Sequence, residues 1–340
     1  MPYSPQLVIR DNNSANDARL QHITLYFFVI YCVLLTFPQT IKAAIWFTNH
    51  TRPEENFRHR KLFISFILLT TIALVATYVQ GAIITLSQFD TQLGMPHAVP
   101  AMYEFTKETS IEFFYAGLLL LLGYRGTASA SFSRRWSFGL LLVMVLCSII
   151  NAPVSAIATD PSGVTASVSL RCIYFVAYFF LTILITFWSI RLHRESEQMV
   201  VPRELRLFDE NVLSRIVKLI SPLLIVRAIF ELIALLIVDL AVFGDGASLI
   251  GFQLASVVIE GTGFFIMNTV ALGLGSIERN RDLGEAMIGR TRSQIRDDAS
   301  SQVPRLYELG ADNGAEGTTR KHYSLYSSPS IDRNSVDLSH

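Results

Sequence analysis

Hydrophobic and polar positions do not alternate along this chain; they come in blocks. Seven mainly apolar stretches, at about 23–47, 62–89, 101–124, 136–158, 168–190, 219–242 and 247–275, are separated by polar segments. A bilayer core of about 30 Å takes roughly 20 helical residues at 1.5 Å each, and every block meets or approaches that length. The pattern predicts an all-α polytopic membrane protein, a seven-transmembrane-helix bundle. The second block runs from Leu62 to Phe89 without a charge. The third differs, because Glu104, Lys107, Glu108 and Glu112 occupy its first half, ahead of the run FFYAGLLLLLGY.

Composition agrees. Of 340 residues, 51% are hydrophobic and 16% charged, with a mean hydropathy of +0.40; a soluble chain carries about a quarter charged residues. Lys+Arg 28 balance Asp+Glu 28, so there is no basic footprint for nucleic acid. The placement of charge orients the bundle. The loops ahead of the second, fourth and sixth blocks hold thirteen Lys and Arg, among them Arg52, Lys61, Arg134, Arg194 and Arg206, while 90–100, 159–167 and 243–246 hold none. Positive residues stay cytoplasmic, which predicts an outside amino terminus and a cytoplasmic carboxyl terminus. Trp46, Trp136 and Trp188 fall at predicted cytoplasmic span ends, where the interface suits tryptophan. Asn12-Asn13-Ser14 is a glycosylation sequon on the predicted outer side; Asn49-His50-Thr51 is on the inner side.

Three segments follow: a polar extracellular amino terminus at 1–20 with no cleavable secretory signal, the transmembrane domain at 21–275, and a cytoplasmic tail at 276–340. The tail is rich in Ser, Arg, Asp and Gly, a composition that predicts disorder over most of its length. Its first part, through Ile295, can lie on the membrane surface as an amphipathic helix or remain solvated.

Little points to catalysis. Cys32, Cys147 and Cys172 lie in apolar runs, so no disulfide framework is expected. The histidines His22, His50, His59, His97, His193, His322 and His340 avoid the span interiors. No Gly-x-Ser-x-Gly, His-Glu-x-x-His or Gly-Lys-Ser/Thr motif occurs. Neither an enzyme nor a metal or cofactor is expected.

The chemistry lies in charges inside spans, each of which costs several kcal/mol if it faces lipid. Counting from span centres at 1.5 Å per residue puts Glu112, Arg227, Glu231 and Glu260 at one midplane level. Gln253, Glu260 and Asn268 recur on one face of the seventh span. Glu104, Lys107, Glu108, Arg171 and Asp239 form a layer roughly 8 to 14 Å further out, with Arg171 and Asp239 matched in depth as an ion pair. Arg227 and Glu231, four apart, neutralise each other. That leaves Glu112 and Glu260 facing each other, and the midplane group at two net negative charges, to be offset by a proton, a cation or an amine ligand. Glu104, Glu108 and Glu112 form an acidic stripe leading inward. Glu112, Glu260, Glu108 and Asn268 are thus the candidate ligand- or ion-binding residues, and Arg227, Glu231, Arg171 and Asp239 the structural ion pairs. Pro38, Pro153 and Pro222 interrupt spans, and Pro222 is the candidate hinge between the midplane group and the basic fifth loop.

Seven spans with an outside amino terminus and a serine-rich inner tail resemble the G-protein-coupled receptor architecture. The rhodopsin-like signatures are missing: the third span ends in Leu-Gly-Tyr124-Arg125-Gly instead of Asp/Glu-Arg-Tyr, and the seventh has Asn268-Thr-Val-Ala instead of Asn-Pro-x-x-Tyr. The seventh span also lacks the lysine that a retinal Schiff base needs. The stretch Ser221-Pro222-Leu-Leu-Ile-Val-Arg227-Ala-Ile-Phe230 is similar to one in uncharacterised fungal seven-helix integral membrane proteins. That resemblance implies the fold and no functional residue. The expected function is a receptor-like plasma-membrane protein that senses an extracellular or membrane-embedded small ligand and signals to a cytoplasmic protein through its loops and tail. An ion- or proton-coupled small-solute transporter using the midplane carboxylates is one alternative, and a structural membrane organiser another.

Overall fold

The computed structural model describes residues 15–48, 58–89, 98–125, 131–157, 161–198, 210–239, 252 and 254–275, all of them in α- or π-helical turns. The sequon at 12–14, Gln253 and the tail at 276–340 lie outside the described residues. Every described residue belongs to one compact unit, within 1–286.

The main α-helices are α1 (Ala15–Val29), α2 (Phe37–Thr48), α3 (Arg58–Phe89), α4 (Ala98–Arg125), α5 (Ser131–Ile157), α6 (Pro161–Gln198), α7 (Ser221–Ala234) and α8 (Leu254–Gly275), with a short α-helical run at 210–215. A π-helical turn, Ile30–Thr36, joins α1 to α2, and two more, Ile216–Ile220 and Leu235–Asp239, flank α7. Among the described residues six helices are long and apolar enough to cross a membrane: Arg19–Thr48, Lys61–Ser87, Arg134–Ile157, Ser162–Ser196, Glu210–Ile237 and Leu254–Gly275. The 28-residue α4, with five charged residues, is not one of them. Helix α6 runs several residues beyond the 168–190 block at each end.

Polarity is turned inside out. Leu34, Phe187 and Val226 are 65%, 63% and 57% exposed, while Thr70, Ser189 and Asn268 are wholly buried. Exposed apolar surface on that scale is tolerable only against lipid, and an interior rich in hydroxyls and small residues is how helices hold together where hydrocarbon supplies no hydrophobic drive. Several of these hydroxyls are satisfied locally: Thr70, Thr77 and Thr85 each donate to the carbonyl four residues back, at 2.8 Å. Trp188 is buried at 1% exposure, so it packs in the core instead of anchoring an interface.

Consecutive helices α3 to α6 pack in sequence, α7 packs on α6, and α1 and α2 lie on α3. Helix α8 closes the bundle against the first span. Tyr31 and Gln39 reach it, Gln39 Nε2 donating to the Phe265 carbonyl at 3.0 Å and to Thr269 Oγ1 at 2.8 Å. Gly261 makes the approach of Tyr31 possible, since a Cβ there would lie 2.5 Å from the ring.

Two prolines explain two π turns. A proline cannot donate to the carbonyl four residues back and its ring crowds that carbonyl. In both cases the residue just before it, Phe37 or Ser221, donates instead to the carbonyl five back, Cys32 or Ile216. The wider turn takes up the clash without breaking the helix. Pro153 is accommodated inside α5.

Candidate functional site

Three helices carry charge to one interior point. Arg227 and Glu231, four apart on α7, share a face and are 3% and 2% exposed. From α4, Lys107 Nζ reaches 2.9 Å from Glu260 Oε1 on α8 and 3.3 Å from Glu231 Oε1. Ser256, one turn before Glu260, donates to the same Oε1 at 2.6 Å. Arg227 Nη2 lies 3.6 Å from Glu231 Oε1, and its guanidinium sits over the Phe264 ring at 3.7 Å. Two bases meet two acids, so the formal charge is zero. Buried ions cost several kcal/mol each in lost solvation, and mutual attraction repays that only when every charge has its partner; stacking on an aromatic face gives Arg227 a further contact.

Aromatic rings pack beside this cluster. Tyr31 shares a hydrogen bond of 2.8 Å with Thr262 Oγ1 and donates to the Val258 carbonyl at 3.2 Å. Tyr31 and Tyr78 lie 5.8 Å apart, and Phe28 meets Tyr78 and, edge-on, Tyr103. These contacts tie α1, α3 and α4 together next to Lys107.

The arrangement corrects the sequence-based picture at several points. Glu260 faces Lys107, not Glu112. Lys107 and Glu112 are five residues apart, about 140° around a helix, so α4 has two polar faces. One turns Lys107 toward α7 and α8; the other turns Glu108 and Glu112 toward Ser148 of α5. The excess of two negative charges therefore does not arise at the cluster. Lys107 was expected in an outer layer. The sixth-span helix already runs at Glu210, nine residues before the block at 219, so the block's centre does not fix the depth of Glu231, which meets Lys107 at 3.3 Å. Ser256 and Phe264 are further members; each stands four residues from Glu260, the spacing that puts them on its face.

On the second face, Arg171 Nη2 of α6 lies 3.6 Å from Glu104 Oε2. The side chain of Asp239, expected as its partner, lies outside the described residues. Glu108 and Glu112 are 3% and 6% exposed, and one oxygen of each has no hydrogen-bond partner among the described residues. Asn268 is fully buried, and neither amide atom has a partner among the described residues. Pro222 opens α7 directly after a π turn. Among the described residues no three His, Cys, Asp or Glu side chains converge as metal ligands.

The helical fold and its reversed polarity define an all-α polytopic integral membrane protein. Comparison with protein-family models, curated proteins and solved structures gave no match.

Proposed function

We propose that this chain is a seven-transmembrane, receptor-like protein of the plasma membrane, of the fungal seven-helix type, with α4 as its third span beside the six apolar ones and its amino terminus outside. It senses a small ligand from outside or from within the bilayer and signals through its cytoplasmic loops and tail to a cytoplasmic protein. It is not an enzyme and uses no cofactor. The observation that carries this reading is Lys107, which bridges Glu231 and Glu260 and so joins α4, α7 and α8 in a cluster that Arg227 makes charge-neutral. A lock of that kind is stable in one arrangement and opens when a ligand or a proton competes for one partner, a differential interaction that shifts populations. The π turns at both ends of α7 let the helix respond without unfolding.

Spin labels at lipid-facing Leu219 and Leu62, both exposed, test it by the distance distribution between them in lipid nanodiscs. Lys107→Met is expected to shift or broaden that distribution relative to wild type; an unchanged distribution counts against a conformational lock. A second reading, an ion-coupled carrier, draws on the interruption of the sixth span by two π turns. Reconstituted vesicles separate the two: solute-independent ion leak or coupled uptake points to the carrier.

A further inference from the structure

The Lys107 cluster leaves a second polar site unexplained. Glu108 and Glu112 stand one helical turn apart on the other face of α4, both more than nine-tenths buried. Each has an oxygen without a hydrogen-bond partner among the described residues. Ser148 of α5, 1% exposed, lies against both acids. The groups around the pair are few. On α4 they are Glu104, and Lys107, which is engaged by Glu231 and Glu260. On α5 they are Cys147 and Ser148. On α6 they are Arg171, which is paired with Glu104, and Tyr174, whose hydroxyl donates to the Glu108 carbonyl at 3.4 Å. Arg171 and Lys107 attract the Glu108 carboxylate from a distance, while Arg171 pairs with Glu104 and Lys107 with Glu231 and Glu260. Two carboxylates in such a place repel each other across a low-dielectric interior.

We propose that Glu108 and Glu112 form a proton-binding carboxyl pair between α4, α5 and α6, with Ser148 as the hydroxyl that completes its hydrogen bonding. A proton on one carboxyl turns an acceptor into a donor, so the pair closes through an O–H···O⁻ bond and the idle oxygens gain a partner. Glu104, 18% exposed at the side chain and one turn further along the same face, is the group through which protons reach the pair, as chains of acids do within membranes. The site is separate from the Lys107 lock and does not depend on the receptor reading.

The test uses the full-length chain in nanodiscs. Infrared spectra at neutral pH are expected to show the carbonyl stretch of a protonated carboxyl group, shifted in deuterium oxide, absent from the double variant Glu108→Gln/Glu112→Gln and retained in Glu260→Gln. The sign of the pH effect follows. The folded state holds a proton that an unfolded chain releases, so stability is present at low pH and falls as pH rises, about tenfold in the folded-to-unfolded ratio per pH unit for each such proton. The double glutamine variant resembles the neutral form, so it is expected to fold and to lose that slope. Absence of the band in wild type, its survival in the double variant, or equal pH slopes would overturn the proposal. So would stabilisation of wild type, but not of the double variant, by sodium chloride over N-methylglucamine chloride, because a metal cation would then hold the site.

Discussion

Replacing Lys107 with methionine tests the central cluster most sharply. The side chain volume is nearly kept, but one cation is lost from a group whose side chains are only 15%, 2% and 11% exposed at Lys107, Glu231 and Glu260. Arg227 then faces two carboxylates, and the interior carries one uncompensated negative charge. Removing one partner of a buried ion pair costs about 3–5 kcal/mol, a large part of the roughly 5–15 kcal/mol that keeps a typical protein folded. A second change isolates the cause. Glu260→Gln added to Lys107→Met restores neutrality, since Arg227 still balances Glu231 and the amide oxygen still accepts from Ser256. The double variant is expected to regain about 2 kcal/mol or more, well beyond the few tenths by which independent sites depart from additivity. Thermal or denaturant unfolding of detergent-solubilised protein, followed by tryptophan fluorescence, measures both. Lys218→Met, at an exposed position, serves as control. If Lys107→Met melts like that control, or if the two losses simply add, the cluster is not held together by charge balance.

Other predictions follow from single contacts. Gly261→Ala drives a methyl group into Tyr31 and is expected to cost about 1–3 kcal/mol, whereas Gly263→Ala, with nothing within 4 Å of the new Cβ, should be neutral or mildly stabilising; equal melting temperatures would contradict the packing of α8 on the first span. Exchanging charges in Arg171→Glu with Glu104→Arg should restore the folded yield lost in either single variant, as judged by gel filtration, and no rescue would argue against that pair. Protease added to intact cells should spare the tail while glycosylation occurs at Asn12; cleavage from outside would reverse the proposed orientation.

The helical blocks were legible because lipid imposes a long apolar run on any helix that faces it, and that requirement is written in consecutive residues. Burial of Arg227, Glu231 and Glu260 was legible for the same reason: a charge in such a run must turn inward. Which charges meet was harder to read. Depth counted from the ends of a hydropathy block assumes that block and helix coincide, and at Glu210 they do not. Helical rotation matters as much, for Lys107 and Glu108 are sequence neighbours whose side chains serve different sites. The π turns were signalled only in part: Pro38 and Pro222 mark two of them, while Leu235–Asp239 contains no proline. Gly261 and Tyr31 are 230 positions apart, and no local pattern joins them.

The charge content of α4 bears on how the chain is made. A helix entering the bilayer by itself bears the full penalty of each ionised group near its middle, about 2.5–3.5 kcal/mol apiece at the point of insertion; on the seven-span reading proposed above, α4 brings Glu104, Lys107, Glu108 and Glu112 at once. Its partners for Lys107 are Glu231 and Glu260, which are synthesised more than a hundred residues later. On that reading Lys107 enters the membrane before either of its acids exists, which calls for α4 to be held in or beside the insertion machinery until α7 and α8 arrive. A chain truncated before Glu231 leaves that lysine without either acid, in a form that cellular surveillance can recognise and degrade.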